Sequence, residues 1–142
     1  MTLEINNLTK GYSFGRVDKK IFSTVAKKVL KGENRETEAA SLAFVGREEI
    51  RKLNKKFRKK NRATDVLSFL LNEKQCLGEI IICPEIVKEN AEKYGVSAKK
   101  EMLKVFVHGI LHLCGYDHEK SEKEAEEMEK KQEKYLSQIK FK

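Results

Sequence analysis

One stretch constrains this chain more than any other. Residues 108–118 read HGILHLCGYDH and contain all three histidines of the protein. His108 and His112 are four apart, so on a helix both imidazoles leave one face within reach of a single ion. Gly115 follows three residues later, where a left-handed residue would end the helix and turn the chain, letting His118 swing back as a third ligand. Three neutral imidazoles suit zinc or another late transition metal and suit magnesium poorly. Three protein ligands also leave a fourth position for water, the mark of a catalytic rather than a closed structural site, and such an ion favours hydrolysis. Cys114, inside the loop, reads as a small core residue. Asp117 either orients a histidine from behind or simply serves the turn.

The spacing HxxxHxxGxxH is shared with metzincin peptidases, which place a glutamate directly after the first histidine as general base. Here that position is Gly109. The metal cradle is kept and the peptidase base is lost.

The chain around this stretch alternates short apolar runs with helical periodicity. Leu3-Glu4-Ile5 reads as a strand, and a turn or loop is expected across Gly11 to Gly15. From Val17, the residues Ile21, Val25 and Val29, joined by Phe22 and Leu30, form a helical stripe, with Asp18 near its start and Gly32 just past its end. Glu38 to Val45 reads as a second strand closed by Gly46. Arg47 to Lys60 then places Ile50, Leu53 and Phe57 on one side of a helix. Val66 to Leu71 and Leu77 to Cys83 read as interior strands. Pro84 opens a helix buried through Ile86, Val87, Ala91 and Tyr94 and stopped by Gly95. Ser97 caps the next helix, Ala98 to Leu113, which is apolar on most sides from Met102 onward and so should run through the core. Ser121 and Glu124 form a capping box for a last helix on Ala125, Met128, Tyr135, Leu136 and Ile139, with Glu126 and Lys130, and Glu127 and Lys131, spaced for surface pairs. The resulting order, βαβαββααα, predicts an α+β fold with a mixed sheet, and 142 residues without a linker or repeat predict one domain.

Charge narrows the partner. The net charge of +8 favours a polyanion. It is concentrated: Arg51, Lys52, Lys55, Lys56, Arg58, Lys59, Lys60 and Arg62 place eight cations within twelve residues, a local potential that attracts phosphates. The basic face of the first helix, with Lys19, Lys20, Lys27, Lys28 and Lys31, reads instead as solvated surface. No run of eighteen apolar residues occurs and the first twenty residues do not pattern as a leader, so a soluble protein with no membrane contact is expected. Cys76, Cys83 and Cys114 make an odd, irregular set that argues against disulfides and for the cytoplasm.

With these residues in view, the chain resembles the bacterial YbeY endoribonucleases, whose signature HGxLHLxGYDH is met by His108 through His118. Asn54-Lys55-Lys56-Phe57-Arg58 is similar to that family's arginine-bearing helix, Ala63 through Phe69 (ATDVLSF) to its central strand motif, and Gly78 through Cys83 (GEIIIC) to the following strand. Leu70 stands where the family usually carries proline. The resemblance implies an α+β fold with a mixed four-stranded sheet and helices mainly on one side. It implies a zinc-type site on His108, His112 and His118, set on a core helix and the loop after it, and Arg58 as the phosphate-binding or transition-state residue. It also implies cleavage of single-stranded RNA in ribosomal RNA maturation, notably at the 3′ end of the small-subunit RNA, a part in ribosome quality control, and the small ribosomal subunit as a partner. The rivals are a metal-dependent peptidase or other hydrolase, and a non-catalytic ribosome-assembly factor.

Overall fold

The apolar runs become a four-stranded mixed sheet and the periodic segments become five helices, in the computed structural model that describes residues 3–9, 16–35, 38–73 and 76–139. The elements are β1 (Leu3–Asn7), α1 (Arg16–Gly32), β2 (Ala39–Phe44), α2 (Arg47–Arg58), β3 (Val66–Glu73), β4 (Cys76–Ile82), α3 (Pro84–Tyr94), α4 (Ala98–Leu113) and α5 (Glu122–Ser137). The turn expected across Gly11 to Gly15 lies outside the described residues. In space the strands run β1-β2-β4-β3. β1, β2 and β4 are parallel, with Ile5 opposite Leu42 and Leu42 opposite Ile80. β3 is antiparallel to β4, with Leu67 opposite Ile81, and forms one edge of the sheet.

Successive strand residues point to opposite faces, and the two faces are covered unequally. Leu42, Phe44, Ile80 and Ile82 pack beneath α1, α4 and α5 in the larger core, where Phe22 ties the layers together with ring centroids 5.6 Å from Phe44 and 5.0 Å from Phe106. Phe106 is fully buried, and truncating such a side chain costs about 3–5 kcal/mol. On the other face, Ala43, Leu67 and Ile81 pack under Ile50 and Leu53 of α2. The helices therefore lie mainly on one side, as the resemblance implied. No helix among the described residues is long and apolar enough to cross a membrane.

Several local expectations shift, each for an identifiable reason. α2 ends at Arg58 rather than Lys60 because Lys59 takes a left-handed φ of 58°, a conformation costing a side-chain-bearing residue on the order of 1 kcal/mol. Buried Asn54 holds that bend: its Nδ2 donates to the Arg62 carbonyl at 2.9 Å and its own carbonyl accepts from Lys60 N–H at 3.3 Å. Tyr94, read as a member of a buried stripe, and Phe57, placed with Ile50 and Leu53 on one side of α2, are each 57% exposed. Gly32 is the last residue of α1, and Asn34 is the residue that turns left-handed, with φ 61°. β3 runs on through Leu70 to Glu73, compatible with leucine in place of the family's proline. Lys131, spaced for a surface pair with Glu127, reaches instead to Glu33 at 3.6 Å.

Candidate metal centre

The helix that carries two of the histidines is fixed at both ends. Ser97 Oγ accepts from Lys100 N–H at its start. At its end Tyr116 N–H bonds to the Leu111 carbonyl (3.1 Å) and Gly115 N–H to the His112 carbonyl (3.0 Å), with Gly115 at φ 107°. This paired pattern is a Schellman motif, and it needs a residue tolerant of positive φ at the position Gly115 occupies. The reversal brings His118 back over α4. Asp117 serves this turn, its carboxylate accepting from Glu119 N–H at 3.0 Å.

His108, His112 and His118 converge: one ring nitrogen from each lies within 4.8 Å of the others. His112 Nε2 and His118 Nδ1 are 3.0 Å apart, close to the roughly 3.3 Å expected between two nitrogens on a tetrahedral zinc with bonds of about 2.0–2.1 Å. Burial, reinforced by the neighbouring rings of His108 and His118, brings the pKa of His112 down to about 4. Burial likewise lowers that of His108, against an opposing hydrogen bond to Gln132. Both imidazoles are thus held neutral, the form in which they donate to a metal. The donor set fits a late transition metal.

Three supports were not evident from the sequence. Gln132, buried on α5, places Oε1 2.9 Å from His108 Nδ1. The carboxamide oxygen accepts the Nδ1–H, leaving Nε2 as the donor atom. A polar residue four after Met128 and three before Tyr135, inside the buried stripe of α5, was the available signal. Glu33 accepts hydrogen bonds from Tyr116, at 2.8 Å, and from Tyr135, tying the histidine loop to α5. Burial alone would raise its pKa, but the two phenols and Lys131 outweigh burial and the net shift is downward. The third support is steric. A Cβ on Gly109 would stand 2.9 Å from Ile80 Cγ2 and 3.1 Å from Ser68 Oγ, and Ser68 Oγ donates to the Gly109 carbonyl at 3.3 Å. The position at which a metzincin carries its glutamate faces the sheet at close approach, where a side chain would force Ile80 and Ser68 to give way.

The histidines open on a cleft of about 730 Å³ between the end of α2, edge strand β3 and the loop 115–119. Arg58, Lys60 and Arg62 line it together with Phe57, Phe69 and the three histidines. Arg58 reaches this site from the last turn of α2, with its Nη2 3.7 Å from Glu119 Oε2, while Glu119 Oε1 is 4.0 Å from His118 Nε2. The structure therefore brings Arg58 and the three histidines, picked out separately in the sequence, to one cavity. Cys114 is half-buried, its thiol pushed up to about 11 by burial.

Comparison with known proteins adds a family. The family model described as "Endoribonuclease YbeY" matches residues 4–140. Curated proteins named Endoribonuclease YbeY from Thermotoga petrophila and Thermotoga maritima are 46% and 48% identical over 99 residues, 70% of this chain and 66% of theirs. The chain thus matches just under two thirds of the length of these relatives. A namesake from Persephonella marina is 35% identical over 129 residues, covering 87% of this chain and 84% of its own. A solution structure of a Thermotoga maritima protein superposes with a TM-score of 0.68 at 38% identity, covering 95% of this chain and 87% of that one.

Proposed function

The chain belongs to the YbeY family of endoribonucleases, and on that premise we propose that it is a metal-dependent endoribonuclease cutting single-stranded RNA. We place its role in ribosomal RNA maturation, at the 3′ end of the small-subunit RNA, and in ribosome quality control. In this reading it works in the cytoplasm, as one domain, with the small ribosomal subunit as a partner. The observation that carries the reading is that the tris-histidine cluster and the cationic end of α2 line one cleft. A zinc-type ion held by His108, His112 and His118 would supply Lewis-acid polarisation of a phosphoryl oxygen and a lowered pKa for water.

The protein's own residues supply the rest. Lys60 and Arg62 attract the RNA backbone into the cleft by charge. The Arg58 guanidinium, held at 3.7 Å by the exposed carboxylate of Glu119, exchanges that loose pair for a charge-assisted contact with a phosphate. It then neutralises charge that builds on the phosphorus oxygens as the bond to the leaving oxygen breaks. Gln132 and the Glu33 brace keep the histidines in place while this happens.

Incubation of purified protein with single-stranded RNA, duplex RNA and a peptide library, side by side, tests the reading. Cleavage of single-stranded RNA with peptides left intact is expected; peptide cleavage without RNA cleavage overturns it. End groups then name the nucleophile, since a 2′,3′-cyclic phosphate implicates the RNA's 2′-hydroxyl and a 5′-phosphate implicates water.

A further inference from the structure

Phe57 has a use that its place on the apolar side of α2 would not suggest. It lies one residue before Arg58 and lines the same cleft, yet it is 57% exposed. Its ring rests against Phe69 with centroids 5.2 Å apart at 63°, and Phe69 is itself partly buried and packed against the smaller core beside α2. Exposed Lys56 stands over the ring, 5.2 Å from the centroid, so a solvent-facing cation is what meets the π-face. An exposed aromatic ring, braced from behind by a second ring and surrounded by cations, has the composition of a stacking platform for single-stranded nucleic acid. A structural role alone would favour burying more of the ring, because apolar surface left in water forgoes the hydrophobic gain of burial.

From this geometry we infer that Phe57, backed by Phe69, is a nucleobase-stacking subsite that receives one unpaired base beside the scissile phosphate. The inference rests on the RNA reading of the same cleft and deepens it. Stacking requires an unpaired base with an accessible face, so the subsite makes the cleft selective for single strands, and Lys56 would move from the ring to an adjoining phosphate. Every base has a π-face, so the subsite sets the register of the strand over the metal centre without demanding a particular sequence.

The test is a double-mutant cycle on an oligoribonucleotide that the wild-type protein cleaves. A single abasic ribose is walked through the positions flanking the cut. For the wild type, one position should lower kcat/KM by roughly 5- to 150-fold, the equivalent of about 1–3 kcal/mol of base–aromatic stacking. Phe57→Ala should show a loss of that size on the intact oligomer and no further loss at that abasic position. Phe57→Leu should behave like the alanine variant, whereas Phe57→Trp should restore cleavage. Unchanged melting temperature and metal content show that the variants are folded and loaded. Phe57→Ala cleaving as fast as the wild type, Phe57→Leu restoring cleavage as well as Phe57→Trp does, or a loss that simply adds to the abasic loss, overturns the stacking subsite and leaves the nuclease reading standing. A metal-loaded wild type for which no single-stranded oligoribonucleotide is a substrate or a ligand overturns both.

Discussion

Gln132 Oε1 sits 2.9 Å from His108 Nδ1, joining α5 to the histidine-bearing helix α4 at the one ring nitrogen that a metal would not need. The bond selects the tautomer whose Nε2 carries the free lone pair. Gln132→Leu should therefore weaken metal affinity about 10- to 100-fold. Competition against a chromogenic chelator measures this, and cleavage at saturating metal should largely return. An unchanged affinity would show that His108 is oriented by packing alone.

Gly109 marks where α4 approaches the sheet. Adding a Cβ there pushes on Ile80 and Ser68, both held in packed positions. Gly109→Ala should be destabilised by roughly 1–3 kcal/mol through overpacking, less up to about 1 kcal/mol returned by alanine's better helix propensity. Urea denaturation reads the difference. Gly109→Glu should be worse still and should gain no peptidase activity, because its carboxylate would be driven into the sheet rather than toward the cleft.

The sequence made the histidine cluster legible because its determinants are local: a four-residue helical spacing and a glycine at a forced reversal. The order of elements was legible for the same reason, as each strand and helix carries its own periodicity. What stayed hidden depends on contacts distant in the chain. Gln132 meets His108 across 24 residues and Glu33 meets Tyr135 across 102; a polar residue inside the buried stripe of α5 marks Gln132 as unusual, but no local pattern names the partner of either. Phe57 shows the opposite limit. Its helical spacing from Ile50 and Leu53 fits a buried stripe, but α2 ends one residue later, at the cleft, and the ring is left in the open.

Neutral histidines give the metal-free protein a pH-dependent stability. The pKa of His112 is about 4 in the folded chain against an ordinary value of 6.5. Between those values the unfolded chain binds a proton that the folded chain does not, so stability rises with pH across the window. The contribution is complete above about pH 6.5 and is lost as the pH falls toward about 4. Thermal melts of metal-free protein through that range should show a falling Tm on acidification. The slope should shrink in His112→Gln, which has no proton to take up. An equal slope in the variant would remove His112 as its source.

Arg58→Ala should lower kcat by about 10²–10³, the loss typical of removing one well-placed donor to developing negative charge, equivalent to about 2.7–4 kcal/mol. Metal content should not change, since Arg58 reaches the centre only through Glu119. Arg58→Lys should recover only part of the activity because an ammonium cannot make a bidentate contact with phosphate. A loss confined to KM would recast Arg58 as a binding residue.

The central claim is that three histidines hold a metal without which RNA is not cut. Its most direct test is metal analysis of protein purified without an affinity tag, followed by RNA cleavage with the metal-free, the reloaded and the His112→Ala proteins, all carried through one purification. The account predicts about one equivalent of a late transition metal, most simply zinc, per chain. It predicts loss of cleavage on metal removal, recovery on reloading and no cleavage by His112→Ala at any metal level. Full cleavage by the metal-free protein, or by His112→Ala, would contradict it.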